Sequence, residues 1–278
     1  MIFEDASELV KKLKEKEISS VELLEAQLKQ VEKINPKINA VVTLDSDRAM
    51  ERAKKADNDK TKKGALHGLP ITIKDAFEVE GIRSTGGNPD WKENIPKKNA
   101  EAVENLVNQG AIIFGKTNLP FLSADTQSFN DIFGTSNNPW NLERTPGGSS
   151  GGSAAALASG MTSLELGSDI GGSIRIPAHF CGLFGHKPSY NIISEVGHMP
   201  PGPGLILTGN GLSVAGPLAR SPEDLELALN VLTSPQEQDA LAWKINLPKP
   251  RFDSIKNLRI AIWPNEPYAE VDEEISSL

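Results

Sequence analysis

One cysteine stands among the 278 residues. A lone thiol forms no disulfide within the chain and spells no cysteine-based metal site, so Cys181 is expected as a small, buried, apolar residue. Apolar runs are short, and none approaches the roughly 20 residues of a membrane-spanning helix. The amino end, "MIFEDASELVKKLKEKEISS", is charged and helical in pattern, unlike a secretory leader. Basic excess is also missing: the formal net charge is −8 at pH 7, which argues against a nucleic-acid footprint. No block of like charge is long enough to be an interaction tail. Internal repeats and low-complexity segments are absent too. What remains is a cytoplasmic enzyme or binding protein, long enough to bury a substantial core.

Periodicity supplies the elements. Leu9, Val10 and Leu13 recur at helical spacing within residues 6–17, and Ser20 is placed to cap a second helix over 21–34. "NPKINAVVTL" reads as a turn and then an extended stretch. Helices follow over 45–57 and 100–108, with strands over 69–73 and along "AIIFGKT". Residues 154–159 read as helix, "SLELG" as extended, and "SIRIPAHFC" as a short helix bent at Pro177. Ser221 is expected to cap a helix over 222–232, and "NLRIAIW" reads as a strand. Strands alternating with helices give the class α/β. Residues 189–217 form a long Gly/Pro-rich stretch of the kind that is functional or mobile. "VDEEISSL", with Ile275 and Leu278 behind its acidic front, looks like the start of a helix.

Gly110–Thr117, "GAIIFGKT", matches the phosphate-loop pattern G-x-x-x-x-G-K-[ST]. The physics does not follow the match. Such a loop needs backbone free to turn its N–H groups inward, whereas Ala111, Ile112, Ile113 and Phe114 make a buried strand.

The chemistry gathers around two glycine-serine clusters, "GGSSGGSAAALASG" and "GSDIGGSIRIPAHFCG". Ser149 and Ser173, 24 positions apart, each follow a Gly-Gly pair. Glycine lets backbone approach closely, and N–H groups ahead of a helix form an anion-binding nest. A serine there can attack a carbonyl while the nest holds the oxyanion. It needs a base. His67 and His179 lie near the motifs, although the G-x-S-x-G elbow does not occur in its strand–elbow–helix form. The other candidate is Lys74, at the end of the apolar strand "LPITI"; a lysine at a strand end is ordinarily a solvated charge. His179 and His186 read as structural histidines. Trp140 reads as core packing rather than as a floor beneath the site.

"GGSSGGSAAALASG", "GSDIGGSIRIPAHFCGLFGHKPS" and "LHGLPITIKDAF" together resemble the amidase signature family. "NPKINAVVTL", "GAIIFGKTNLP", "FGTSNNPWN" and "GPLARSPEDL" stand in that family's order, so the resemblance covers nearly the whole chain. It implies an α/β fold with a mixed central sheet covered by helices on both faces. It implies a single domain over 1–278 that lacks the carboxyl-terminal part of the family fold. Implied too is a Ser–Ser–Lys triad: Ser173 the nucleophile, Ser149 the bridge behind a cis peptide, and Lys74 the neutral base. The N–H groups of Ile170, Gly171, Gly172 and Ser173 would form the oxyanion hole, with Asp169, Arg175 and Ser150 supporting the loop. Asn118, Asp125 and Asn130 would lie along the cleft. No metal or organic cofactor is called for. A free lysine titrates near ~10.4, so this base has to be buried to be neutral.

The function implied is hydrolysis of a small carboxylic amide through an acyl-enzyme on Ser173. The family also contains a glutamine-dependent amidotransferase subunit that works in a complex on aminoacyl-tRNA. That subunit usually has Gln after the arginine of the second motif, where this chain has Ile176. A third reading is an incomplete, non-catalytic member. The expected partners are an amide substrate and a homodimeric or complementary chain, with no direct nucleic-acid or membrane contact.

Overall fold

The structure, a computed structural model, describes residues 1–61, 64–204, 211–252, 254–263 and 266–277. The chain forms a large unit, Met1–Ile245, and a short one, Asn246–Leu278.

In the large unit, α1 (Ala6–Glu15) buries Ala6, Leu9, Val10 and Leu13 on one face, the spacing of an amphipathic helix. α2 spans Ser20–Ile38 and corrects the expected cap by one residue. Ser19 caps it: its hydroxyl accepts the Glu22 N–H, and the Glu22 carboxylate accepts the Ser19 N–H, a capping box. Ser20 is already helical and donates its hydroxyl to the Gly68 carbonyl at 2.7 Å. The helix also outruns the expected stop at Ile34, passing through Pro36 to Ile38, where Asn39 in the left-handed region closes it with an N–H donated to the Asn35 carbonyl at 2.7 Å.

After β1 (Val41–Leu44) and α3 (Ser46–Asn58) come β2 (Pro70–Lys74), α4 (Glu101–Asn108) and β3 (Ile112–Thr117). A small hairpin pairs β4 (Phe129–Asn130) with β5 (Gly134–Thr135). Then follow α5 (Gly151–Ala158), β6 (Glu165–Asp169), α6 (Arg175–Cys181), β7 (Phe184–Gly185), β8 (Val214–Ala219) and α7 (Pro222–Leu232). Pro177 puts no bend in α6. It stands third in the helix, where its missing N–H has no intrahelical partner to lose.

The six-stranded sheet runs β1-β3-β2-β6-β8-β7. β2 lies parallel to both β3 and β6, and the remaining neighbours are antiparallel. Helices cover both faces. Ile71 and Ile73 of β2 pack into a cluster with α1, α4 and α7. Ile112 and Phe114 of β3 pack with α2, α3 and α5 on the other side. Thr72 and Lys74 alternate with the isoleucines and point away from them. The parallel pairing of β2 with β6 brings their carboxyl ends together, and that is where open α/β sheets place their sites.

The phosphate-loop pattern is taken up by β3, buried throughout. Lys116 is buried against Asp75 at 3.1 Å, the Phe77 carbonyl at 2.7 Å and the Ser84 hydroxyl at 2.8 Å, so it reaches no phosphate. The far amino end is fastened by α7: the buried Asp224 carboxylate accepts the N–H groups of Ala6 and Ser7 at 2.7 and 2.8 Å.

In the short unit, a 3-10 turn spans Ile255–Asn257 and α8 spans Glu273–Ser276. α8 agrees with the helix start expected there, and Leu278 lies outside the described residues. The strand expected in "NLRIAIW" does not form. No strand is assigned over residues 258–263.

Candidate active site

Gly147–Gly160 is no linker. The Gly148–Ser149 peptide is cis, and α5 starts at Gly151, three residues earlier than expected. Every residue from Gly151 to Leu157 is buried. Small residues are needed because the helix presses on backbone: a Cβ on Gly152 would sit 2.3 Å from the Asn118 nitrogen.

Lys74 ends β2 with no exposed surface. Its Nζ lies 2.7 Å from Ser149 Oγ and 3.0 Å from Ser168 Oγ. Burial brings its pKa down from 10.5 to about 7, against the opposing pull of Asp169. A lysine with that pKa is substantially neutral near pH 7 and can accept a proton.

The turn from β6 into α6 carries the second serine. Asp169 organises it, accepting the N–H groups of Gly172 at 2.8 Å, Ile174 at 3.0 Å and Arg175 at 3.3 Å. The Arg175 guanidinium adds two bonds at 3.0 and 3.1 Å. Burial opposes ionisation of Asp169, but Arg175 and the three N–H groups prevail and hold its pKa at about 2. Gly172 has φ +114°, and a Cβ there would meet Ile176 Cδ1 at 2.6 Å, so only glycine suits the position. The Ser150 N–H donates to the Ser173 carbonyl at 3.1 Å, tying the two serine clusters together. The Gly172 N–H is turned to Asp169. Among the described residues, the N–H groups of Ile170, Gly171 and Ser173 have no protein acceptor.

Ser149 and Ser173 share a cleft of about 230 Å³ with Ser168, Asp169, Ile170, His198 and Ser213, walled by residues 122–124 and Pro200. The structure thus brings Lys74, Ser149, Ser150, Ser173, Asp169 and Ile170 together. Gly171 and Arg175 stand at the exposed rim. Asn118, Asp125 and Asn130 do not line the cleft. Asn118 and Asn130 are buried and bonded to each other at 2.9 Å, and Asp125 caps Gln127.

Ser168 and His198 carry no signal in the sequence. His198 is buried, with Nε2 2.9 Å from Ser168 Oγ. Ser168 sits inside a strand, where a serine is unremarked, and His198 lies 30 positions downstream of it. Their proximity is set by the loop that returns across the end of the sheet. That loop, expected to be functional or mobile, buries Ile193, Ser194, Glu195 and Met199 alongside His198; its residues 205–210 lie outside the described ones. The candidate base His67 is bonded by Nε2 to the Ala56 carbonyl at 3.1 Å and stands apart from the serines. His179 is exposed on α6.

Trp140 corrects its expectation. It is 73% exposed, and its indole donates to the Cys181 carbonyl at 2.9 Å, so a hydrogen bond and not core packing fixes the ring. Cys181 is buried, and burial pushes its thiol up to about 12. A thiol that stays protonated is a poor nucleophile. The folded chain is therefore expected to resist iodoacetamide at pH 8, and the denatured chain to take up one equivalent, as read by intact mass.

Comparisons with known proteins follow the same lines. The model of the Amidase family matches residues 22–278. One relative, a glutamyl-tRNA(Gln) amidotransferase subunit of Thermoanaerobacter pseudethanolicus, is 40% identical over 263 residues, which are 92% of this chain and 52% of that protein. Among solved structures, fatty acid amide hydrolase superposes with a TM-score of 0.76 at 34% identity, over 82% of this chain and 40% of that one. A bacterial aryl acylamidase of the amidase signature enzymes superposes with a TM-score of 0.79 at 31% identity, over 88% and 50%. The chain spans about half the length of the curated relatives it matches. On the match over residues 22–278, the identity to these relatives and the shared fold, this chain belongs to the amidase signature family.

Proposed function

We propose that the chain hydrolyses a small carboxylic amide through an acyl-enzyme on Ser173. One observation carries the reading: a fully buried Lys74, its pKa about 7, bonded at 2.7 Å to a serine that shares a cleft with Ser173. Ser173 Oγ attacks the amide carbon. Its proton passes to Ser149 Oγ as the Ser149 proton passes to Lys74 Nζ. The carbonyl oxygen, now an oxyanion, takes the N–H groups of Ile170, Gly171 and Ser173, while Gly172 braces the turn through Asp169. The C–N bond breaks as the proton returns from Lys74 through Ser149 to the leaving nitrogen. Water then attacks the acyl ester, its proton passing through Ser149 to Lys74; as the ester C–O bond breaks that proton returns to Ser173 Oγ, and the acid released ionises to the carboxylate.

The 40% identity to an amidotransferase relative favours a second reading, glutamine-dependent ammonia transfer within a complex. The cleft speaks for the first. Beside its serines and His198 it is lined by Leu122, Ala124, Ile170 and Pro200, and Asp169 is the one charged side chain among the described residues lining it. Among the described residues that line the cleft there is no cation to meet the carboxylate of glutamine; Arg175, at the rim, is bonded to Asp169. Ile176 packs on Gly172, where the amidotransferase usually has Gln. The partner class that goes with the first reading is a homodimer or a complementary chain.

A fluorophosphonate probe tests the proposal without a known substrate. The expected result is a single adduct, mapped to Ser173 and lost in Lys74→Ala. No adduct on a folded chain would overturn the reading. Fast release of ammonia from glutamine, with apolar amides untouched, would move it to the second.

A further inference from the structure

Resting on the amidase reading, the geometry points to His198 as a positioning residue. It takes the Ser168 hydroxyl proton in a hydrogen bond and so leaves the Lys74 lone pair free for Ser149.

The protons can be placed one by one. A neutral lysine amine has two N–H groups and one lone pair. To receive a proton from Ser149 at 2.7 Å, it has to aim that lone pair at Ser149 Oγ. The contact to Ser168 at 3.0 Å then has to be an N–H donated by Lys74. Ser168 Oγ has two partners among the described residues, Lys74 Nζ and His198 Nε2. Having accepted from Lys74, its own O–H points to His198 Nε2, 2.9 Å away. His198 is then neutral, with a bare Nε2 and the proton on Nδ1. Were Nε2 to carry the proton, it would donate to Ser168. The Ser168 hydroxyl would turn to the Lys74 lone pair and withdraw it from Ser149.

The surroundings hold the imidazole to that part. Burial, joined by the nearby Lys74, brings its pKa down to about 3, against a backbone interaction with Pro200, so the ring stays neutral. The Phe77 ring meets it edge-on at 4.8 Å, fixing its plane. Nδ1 has no partner in full hydrogen-bonding geometry, and the backbone hydrogen bond to Pro200 pulls the ring toward its protonated form, which does not oppose a proton on Nδ1. With the Lys74 lone pair turned to Ser149, the Ser168 hydroxyl sets the tautomer through Nε2.

Two measurements on the 278-residue chain test this. Nitrogen-15 histidine NMR on the wild type is expected to show a neutral His198 with a bare Nε2 and a protonated Nδ1. A protonated Nε2 would overturn the inference, whatever the chain's activity. The second is a double-mutant cycle on fluorophosphonate acylation. His198→Phe keeps a ring against Phe77 and is expected to slow labelling by about 10–100-fold, less than loss of the base itself. In a Ser168→Ala background the same change is expected to have no further effect. An equal slowing in both backgrounds would make His198 merely structural and sink the inference. Failure of the wild type to label would sink the amidase reading instead, and the NMR result would still judge the tautomer.

Discussion

Lys74→Met is expected to abolish acylation of Ser173 and, at the same time, to stabilise the fold. The rate should fall by about 10³–10⁴-fold, the size of a lost general base acting in concert with its nucleophile. The stability gain follows from the same burial. The folded pKa, about 7, lies below the ordinary 10.5, so between those values the unfolded chain binds the proton that the folded chain releases. Stability of the wild type therefore rises with pH from about 7 to about 10.5, and the full penalty is felt below about 7. A drop of that size corresponds to roughly 5 kcal/mol. Loss of the bonds to Ser149 and Ser168 offsets about 1–3 kcal/mol of it. Urea unfolding should place the methionine variant about 2–4 kcal/mol above wild type near pH 6, with the order reversing toward pH 10, where the charging penalty is gone and the lost bonds remain. The wild-type labelling rate should climb with pH and level off above about 7. Lys74→Arg should remain unreactive throughout, because a guanidinium does not give up its proton. A variant as reactive as wild type, or less stable than it near pH 6, would contradict this account.

Asp169→Asn should be the next most damaging change. The carboxylate takes three backbone N–H groups and two guanidinium N–H groups. An amide puts an NH2 where one of those oxygens accepts, so donors face a donor and the turn opens. Each misplaced buried bond costs about 1–3 kcal/mol. Displacing the N–H groups aimed at the oxyanion should slow labelling by about 10²–10³-fold. The electrostatic consequence is separate. Asp169 raises the pKa of Lys74, so the asparagine variant should reach its plateau at a lower pH than wild type. Arg175→Met is the control: its side chain is 54% exposed, the backbone bonds survive it, and the loss should stay below about tenfold.

Much of this was legible in the residues. Period-2 and period-3.6 patterns located the helices and strands β1, β2, β3 and β6 of the large unit, since burial repeats with the geometry of strand and helix; β8 is hidden at the end of the Gly/Pro-rich stretch because a strand buried throughout shows no alternation. The glycine-serine clusters marked the candidate serines, whereas Lys74 reads locally as a solvated charge and becomes the base only through the family resemblance; its burial is a tertiary fact. Misses came where local pattern and tertiary partner disagree. "NLRIAIW" has strand composition, but no strand is assigned over it. Ser20 has a cap's chemistry, but Gly68 claims its hydroxyl. Trp140 is large and apolar, yet its indole N–H has an acceptor at the surface. His198 gives no local sign, because its meaning comes from Ser168, a contact that the end of the sheet creates.

Asp224 sets an order on synthesis. Its carboxylate caps the first turn of α1 across 218 positions, so the first helix made waits for one of the last in the large unit. On the ribosome, α1 has an amphipathic face and no cap until α7 has emerged. Nascent chains stopped before residue 224 should leave the amino end open to protease, and chains stopped beyond α7 should close it. The clasp makes the large unit one cooperative piece, finished from both ends at once.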